Sequence, residues 1–114
     1  MADDPVERRK FIIGWLKCRP GKRDELVALL GPYVAACRAE EGCLFFDMNP
    51  SVTEPDVVVV SECFASRAAH QAHVEQETFR RFWNQLYELC LEGRFENIFP
   101  GHVEPDRADF TARA

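Results

Sequence analysis

The order of the secondary-structure signals constrains the fold of this chain more than any other feature of its sequence. An apolar run at 11–18 leads to the turn residues Pro20 and Gly21, and apolar residues at helical spacing follow. Two further strand signals, at 43–49 and 57–64, are separated by a turn-rich stretch at 50–56. A second helical region and a last extended segment complete the pattern β-α-β-β-α-β.

That pattern predicts an α+β ferredoxin-like plait, in which two helices cover one face of a four-stranded antiparallel sheet. The first strand carries apolar residues on both sides, with Phe11, Ile13 and Trp15 at odd positions and Ile12 and Leu16 at even ones. Such a strand is typical of a sheet that is covered on both faces. We therefore expect two copies to pack through their uncovered sheet faces, forming a homodimeric α/β barrel.

The boundaries of the second helical region come from capping and stop signals. Ser66 can cap its start, an interruption is expected at 75–77, and Gly93 is expected to end it. The last extended segment is broken at Pro100 and Gly101. A chain of this length has room for one core, so we predict a flexible arm at 1–9, one domain at 10–105 and a frayed tail at 106–114.

The composition argues against several classes of partner. Nineteen acidic and fourteen basic residues give a formal net charge of -5, so neither nucleic acid nor anionic lipid is expected to bind. No apolar run approaches the roughly 20 residues that cross a bilayer, and the acidic N-terminus does not resemble a signal peptide. Five cysteines without CxxC spacing favour reduced thiols, and hence a cytoplasmic protein.

Four segments carry a family resemblance: RPGKRDEL at 19–26, AEEGCL at 39–44, VSECF at 60–64 and AAHQAHVEQETF at 68–79. Together they resemble the antibiotic biosynthesis monooxygenase family, a group of dimeric α/β barrels that includes cofactor-free quinol and polyketide-anthrone monooxygenases. The likeness covers about residues 10–100 and is more specific for the fold than for the substrate. It implies a homodimer that oxidises a small aromatic, quinol-like molecule with dioxygen and without a cofactor.

Two residues are the candidates for catalysis. The resemblance matches Glu62 to the family's third-strand glutamate and His73 to its helix histidine. An imidazole can accept a proton from a phenol, and a buried carboxyl of raised pKa can orient that imidazole or the substrate. Alternatively, Glu62 is a structural acid paired with Arg67 or with the partner subunit, and His73 caps a kinked helix. His70 is expected to be solvated, and with no third ligand in view no metal is expected.

The substrate-binding candidates are mostly aromatic. They are Phe46, Phe79 and Trp83, which can line an aromatic cavity, and Phe64, which stands where the family usually has Trp. Gly14 is expected to leave space beside them. Glu62 and Phe64 point to the same side of the strand as Val58 and Val60. If that side is the helix-free face, a carboxylate lies among apolar groups there.

Two alternatives to a monooxygenase remain open at this point. The segment 89–99 resembles the isomerase branch of the family, which acts on a phosphorylated sugar derivative, and Arg94 could meet the phosphate. A non-catalytic dimeric ligand-binding or stress-response module is the other alternative. Haem degradation is disfavoured, because Gly14, Phe64 and Trp83 occupy the positions of that branch's Asn, Trp and His.

Overall fold

The computed structural model describes residues 6–112, and within them the chain forms a five-stranded antiparallel sheet and three α-helices. The strands are β1 (Lys10–Cys18), β2 (Cys43–Pro50), β3 (Val57–Phe64), β4 (Cys90–Phe99) and β5 (His102–Asp109). The helices are α1 (Arg23–Arg38), α2 (Arg67–Val74) and α3 (Glu77–Leu89). The strand order β2-β3-β1-β4-β5 places β1 at the centre. The predicted α+β ferredoxin-like arrangement is confirmed, with one strand more than expected.

The helices follow the sequence signals closely. The helix α1 has Asp24 and Glu25 in its first turn, where acidic side chains favour the helix dipole, and it continues through Pro32. It packs on α3 through Tyr33 and Phe82, whose rings stack at 3.8 Å. None of the helices described in residues 6–112 is long and apolar enough to cross a lipid bilayer.

The break between α2 and α3 is confirmed, but the end of α3 differs from the prediction. The Ser66 hydroxyl accepts a hydrogen bond from the Ala69 N–H at 3.0 Å, which caps α2. Gly93 does not end α3, because the backbone is already extended at Cys90, which pairs with Cys18 of β1. Gly93 instead lies inside β4, where an added Cβ would approach the Phe95 ring to 2.8 Å.

The C-terminal segment corrects two expectations. Pro100 and Gly101 form a turn between β4 and β5, so the last segment is a hairpin and the sheet has five strands rather than four. The tail expected from Asp106 is part of β5 up to Asp109, and Phe110 beyond it is only 2% exposed. Cross-strand pairing and the burial of Phe110 hold this segment. In the predicted N-terminal arm, Val6–Arg8 form a 3-10 turn, and residues 1–5 lie outside the described residues, as do 113–114.

The two faces of the sheet have different surroundings. Side chains on one face lie beneath the helices in a single core, among them Ile12, Leu16, Val58, Val60 and Phe64. The opposite face, which we call the open face, presents apolar side chains to solvent, with exposed fractions of 36% for Ile13, 36% for Trp15, 46% for Phe45 and 52% for Val103. The prediction of apolar residues on both faces is confirmed. The five cysteines, all among residues 6–112, form no disulfide bond, and four of them are buried.

We expect a second copy of the chain to cover the open face, because several large apolar side chains exposed on one face of a sheet favour association. Ile13→Glu places a charge within it and should convert a dimer into a monomer, as measured by size-exclusion chromatography with light scattering. Val52→Glu is the matched control, because Val52 is 100% exposed in the loop between β2 and β3. A monomeric wild type, or an Ile13→Glu protein that remains dimeric, would contradict this expectation.

Candidate functional site

A cavity of about 140 Å³ lies between the sheet and the helices α2 and α3. Its polar lining consists of Glu62, His70, His73, Asn97 and Asp106. Its apolar lining consists of Ile12, Val74, Phe79, Trp83 and Phe95. A smaller cavity of about 30 Å³ shares Glu62, Phe79, Trp83 and Phe95 with it and extends towards Phe46. We call the two together the ring pocket.

The ring pocket is on the helix-covered side of the sheet. The predicted common side of Val60, Glu62 and Phe64 is confirmed, and β3 turns it towards the helices rather than towards the helix-free face that the sequence left possible. Strand periodicity determines which residues share a face, and the path of the chain after the strand determines which face the helices cover. The pocket therefore forms within a single subunit.

The structure brings most of the predicted site residues together. Glu62, His73, Phe79 and Trp83 line the larger cavity, and Phe46 lines the smaller one. Phe64 is fully buried behind the two histidines, with its ring centroid 5.1 Å from that of His73. It supports the histidines rather than lining the cavity.

Two predicted residues do not contribute as expected. Gly14 leaves no open space, because the Phe95 ring fills it: an added Cβ would lie 2.5 Å from a ring carbon. Arg94 lies on the open face, with its guanidinium 5.7 Å from the centroid of the Trp15 ring. Since Arg94 and Trp15 are paired across β4 and β1, their side chains point away from the ring pocket.

His73 is held by a carboxylate that the sequence did not indicate. The side chain is 2% exposed, and its Nδ1 lies 2.9 Å from Oε1 of Glu40, in the turn that follows α1. Burial lowers the pKa of His73, and the nearby Glu40 opposes that shift. The imidazole is therefore neutral near pH 7. Glu62 was expected to orient either His73 or the substrate, and the carboxyl bonded to His73 is that of Glu40.

Glu62 is a buried acid whose Oε1 has no hydrogen-bond partner among residues 6–112. Burial raises its pKa to about 8, with Lys10 opposing the shift and Glu40 adding to it. The alternative partner Arg67 instead pairs with Glu104 at 3.3 Å and stacks on the Phe99 ring at 3.7 Å. At neutral pH most Glu62 carboxyls carry a proton that can be donated to a ligand in the cavity.

His70 was expected to be solvated, but it lines the cavity. Its Nδ1 lies 2.9 Å from Nζ of Lys10, whose ammonium has only hydrogens to donate, so Nδ1 accepts and Nε2 carries the imidazole proton. Burial, with a smaller effect of Lys10, lowers the pKa of His70 to about 3. The i, i+3 spacing of the two histidines on α2 was the signal that they share a face.

One group of three side chains among the described residues has donor atoms close enough for a metal ion. Atoms of Cys37, Glu40 and His73 lie within 4.8 Å of one another. The donors of Glu40 and His73 already bond to each other, and burial raises the pKa of the Cys37 thiol to about 12. An ion at this set would have to displace the hydrogen bond between Glu40 and His73.

Residues 11–85, which include β1 to β3 and most of the ring pocket, match the model of the antibiotic biosynthesis monooxygenase family. The chain belongs to this family. An uncharacterized protein of Synechocystis sp. is 30% identical over 91 residues, which are 80% of this chain and 59% of that protein. The chain thus spans less than two thirds of the length of this relative.

Solved structures share the family fold. A protein of Pseudomonas aeruginosa has a TM-score of 0.77 at 24% identity, over 83% of this chain and 96% of its own. One from Shewanella oneidensis has a TM-score of 0.73 at 24% identity, over 90% and 92%. A solved antibiotic biosynthesis monooxygenase has a TM-score of 0.72 at 23% identity, over 78% and 95%. At these identities the likeness shows the fold.

Glu62→Gln is expected to remove a pH dependence from the free energy of unfolding. Because the pKa of Glu62 rises from 4.5 to about 8 on folding, the wild type binds an extra proton when folded in this range. The free energy of unfolding of the wild type, relative to that of Glu62→Gln, should be greatest below pH 4.5. This difference should fall towards pH 8, by up to about 1.4 kcal/mol per pH unit. Urea unfolding across this range measures the difference.

Glu88→Gln is the matched control for this prediction, because Glu88 is exposed on α3. Its stability should follow that of the wild type at every pH. A constant difference between the wild type and Glu62→Gln would show that the carboxyl is not held protonated in the folded protein.

Proposed function

We propose that this protein is a monooxygenase that oxidises a small single-ring phenol or quinol with dioxygen and without a bound cofactor. Membership of the family supports this class of reaction. The observation that carries the proposal is the ring pocket, where a neutral imidazole and a protonated carboxyl lie between aromatic walls. Phenol oxidation needs a base and an acid beside the substrate, and the aromatic side chains of the pocket can bind its ring.

The dimensions of the pocket support a single ring. An engineered apolar cavity of about 150 Å³ binds benzene, and the larger cavity here is about 140 Å³. Phe79 and Trp83 are stacked at 5.4 Å and supply aromatic surface on one side, and Phe95 supplies more beneath Trp83 at 6.3 Å. A planar ring can pack against these faces in offset or edge-on geometry.

The chemistry of a hydroquinone can be written with the groups present. His73 accepts the phenolic proton, and the electron-rich anion passes one electron to dioxygen. Recombination of the two radicals forms a bond from oxygen to a ring carbon. The His73 imidazolium returns its proton to the peroxide. His73 then removes the hydrogen of the same ring carbon while Glu62 protonates the outer oxygen, so the C–H and O–O bonds break, a ring carbonyl forms and water leaves. Return of that proton from His73 to the Glu62 carboxylate restores both groups. A hydroquinone and dioxygen thus give a hydroxyquinone and water.

Oxygen uptake with single-ring hydroquinones tests the proposed function. The wild type should consume oxygen above the rate of autoxidation, and His73→Ala should lower the enzymatic rate at least about 100-fold, because it removes the general base. His102→Ala is the control, because His102 is an exposed histidine outside the pocket. Equal oxygen uptake by the wild type and His73→Ala would contradict the proposal.

The size of the pocket makes a second prediction. The wild type should prefer a single-ring hydroquinone over a naphthohydroquinone, and Phe79→Ala should reduce or reverse this preference by enlarging the pocket. The ratio of kcat/KM for the two substrates is the measurement. Phe45→Ala removes a ring of the same size from the open face and should leave the ratio unchanged. A wild type that prefers the two-ring substrate would exclude a single-ring site.

The two alternative functions have less support from the geometry. An isomerase that used Arg94 to bind a phosphate would need it beside His73, and Arg94 is on the opposite face of the sheet. Exchange of a substrate C–H proton without oxygen uptake would nevertheless identify that reaction. Tight binding of phenols without any turnover would identify a non-catalytic ligand-binding module.

A further inference from the structure

We propose that Glu40 is a positioning residue for His73, fixing the imidazole tautomer and ring orientation so that Nε2 is left free for the substrate. This inference rests on the proposed function, in which His73 is the base. It assigns a role to a residue that does not line the cavity and acts only through the histidine.

The hydrogen bond determines the tautomer. Oε1 of Glu40 lies 2.9 Å from Nδ1 of His73, and a carboxylate can only accept, so Nδ1 carries the proton of the neutral ring. The lone pair is then on Nε2, the nitrogen that can take a proton from a phenol. The ring is also enclosed by Phe46, Phe64 and Phe79, at centroid distances of 5.5, 5.1 and 5.2 Å. Rotation to exchange the two nitrogens would therefore break the hydrogen bond and disturb the packing.

The backbone holds Glu40 in place. Its N–H donates to the Cys37 carbonyl at 3.1 Å, and its carbonyl accepts from the Cys43 N–H at 3.2 Å. The turn that contains Glu40 is also bonded to the segment between β3 and α2, since the Gly42 carbonyl accepts from the Ala65 N–H at 2.8 Å.

Gly42 makes this close approach possible. An added Cβ at Gly42 would lie 2.7 Å from Cβ of Ala69, one helical turn before His73. Its φ of +87° is also in the region that favours glycine. The turn and the helix are therefore fixed relative to each other at the place where the carboxylate meets the imidazole.

Glu40 is the acidic side chain bonded to the imidazole. The other titratable groups near His73 are Cys37 from α1, Glu62 from β3, His70 from α2 with Lys10 of β1 beyond it, and Asp106 from β5, which lines the same cavity. Burial raises the pKa values of Cys37 and Glu62 and lowers that of His70, so all three are mainly uncharged. The carboxylate of Glu40 is the group that opposes the lowering of the pKa of His73 by burial.

Glu40→Gln tests the inference by a readout that is independent of turnover. In two-bond ¹H–¹⁵N spectra of the wild type, neutral His73 should show a protonated Nδ1. Loss of the carboxylate should lower the pKa of His73 by about 1–3 pH units, since an opposite charge at this distance shifts a pKa by that amount. With a single-ring hydroquinone, kcat should fall at least about tenfold with KM changed less than about twofold, because the substrate contacts remain.

Two variants complete the experiment. Glu41→Gln removes the same charge one residue along, from an exposed side chain, and should leave the His73 spectrum and kcat as in the wild type. Glu40→Asp keeps the anion on a shorter side chain and should restore part of the pKa of His73 that Glu40→Gln loses. If Glu40→Gln left both the tautomer and the pKa of His73 unchanged, the positioning role would be overturned.

The results separate the two proposals. If the wild type consumes no oxygen but Glu40→Gln changes the tautomer and pKa of His73, then the proposed function fails and the carboxylate still positions the imidazole. If the wild type turns over and Glu40→Gln keeps both its kcat and the wild-type spectrum, then the positioning role fails and the proposed function stands.

Discussion

The central strand β1 buries the side chains of one parity beneath the helices, and this alternation decides where a ligand can bind. Ile12 and Leu16 are 3% and 2% exposed, whereas Ile13 and Trp15 on the other parity are each 36% exposed. Because Ile12 is paired with Glu62 across β1 and β3, the carboxyl is placed on the covered face. The helices α2 and α3 then enclose it with aromatic side chains, and the space that remains is the ring pocket. The open face is left for association.

Burial gives two neighbouring carboxyls different roles. Glu62 lies inside the ring pocket, its Oε1 has no partner among residues 6–112, and desolvation keeps the proton on it near neutral pH. Glu40 does not line the pocket; its side chain is 17% exposed and pairs with the imidazole. Two acids in different environments can have different functions. Glu62 can donate a hydrogen bond to a ligand, and Glu40 can position the base His73.

The order of elements and the break between α2 and α3 could be predicted from the sequence because each has a local signal. The strand β5 could not, because His102–Asp109 lacks apolar alternation and contains Pro105, which is tolerated at the edge of a sheet. The clustering of Glu62, His73, Phe79 and Trp83 followed from family likeness and periodicity. The partner of His73 did not, because Glu40 is 33 residues away along the chain and only the packing of the turn against α2 joins them.

The errors at Gly14 and Arg94 have a common physical origin. Strand periodicity assigns residues to two faces. The local sequence does not tell which face the helices cover, or whether a side chain from a neighbouring strand fills a gap. Gly14 is on the covered face, but the ring of Phe95 occupies the space beside it. Arg94 is on the other parity of β4, next to Trp15 on the open face. Both positions depend on contacts between strands that are distant in the sequence.

The central claim is that a protonated Glu62 faces a cavity that accepts one aromatic ring. The most direct measurement is the ¹³C chemical shift of the Glu62 carboxyl, assigned by comparison with Glu62→Gln, at neutral pH with and without phenol. A protonated carboxyl whose signal moves as phenol saturates the pocket is the predicted result. An ionised carboxyl at that pH, or a signal that phenol does not change, would contradict the claim.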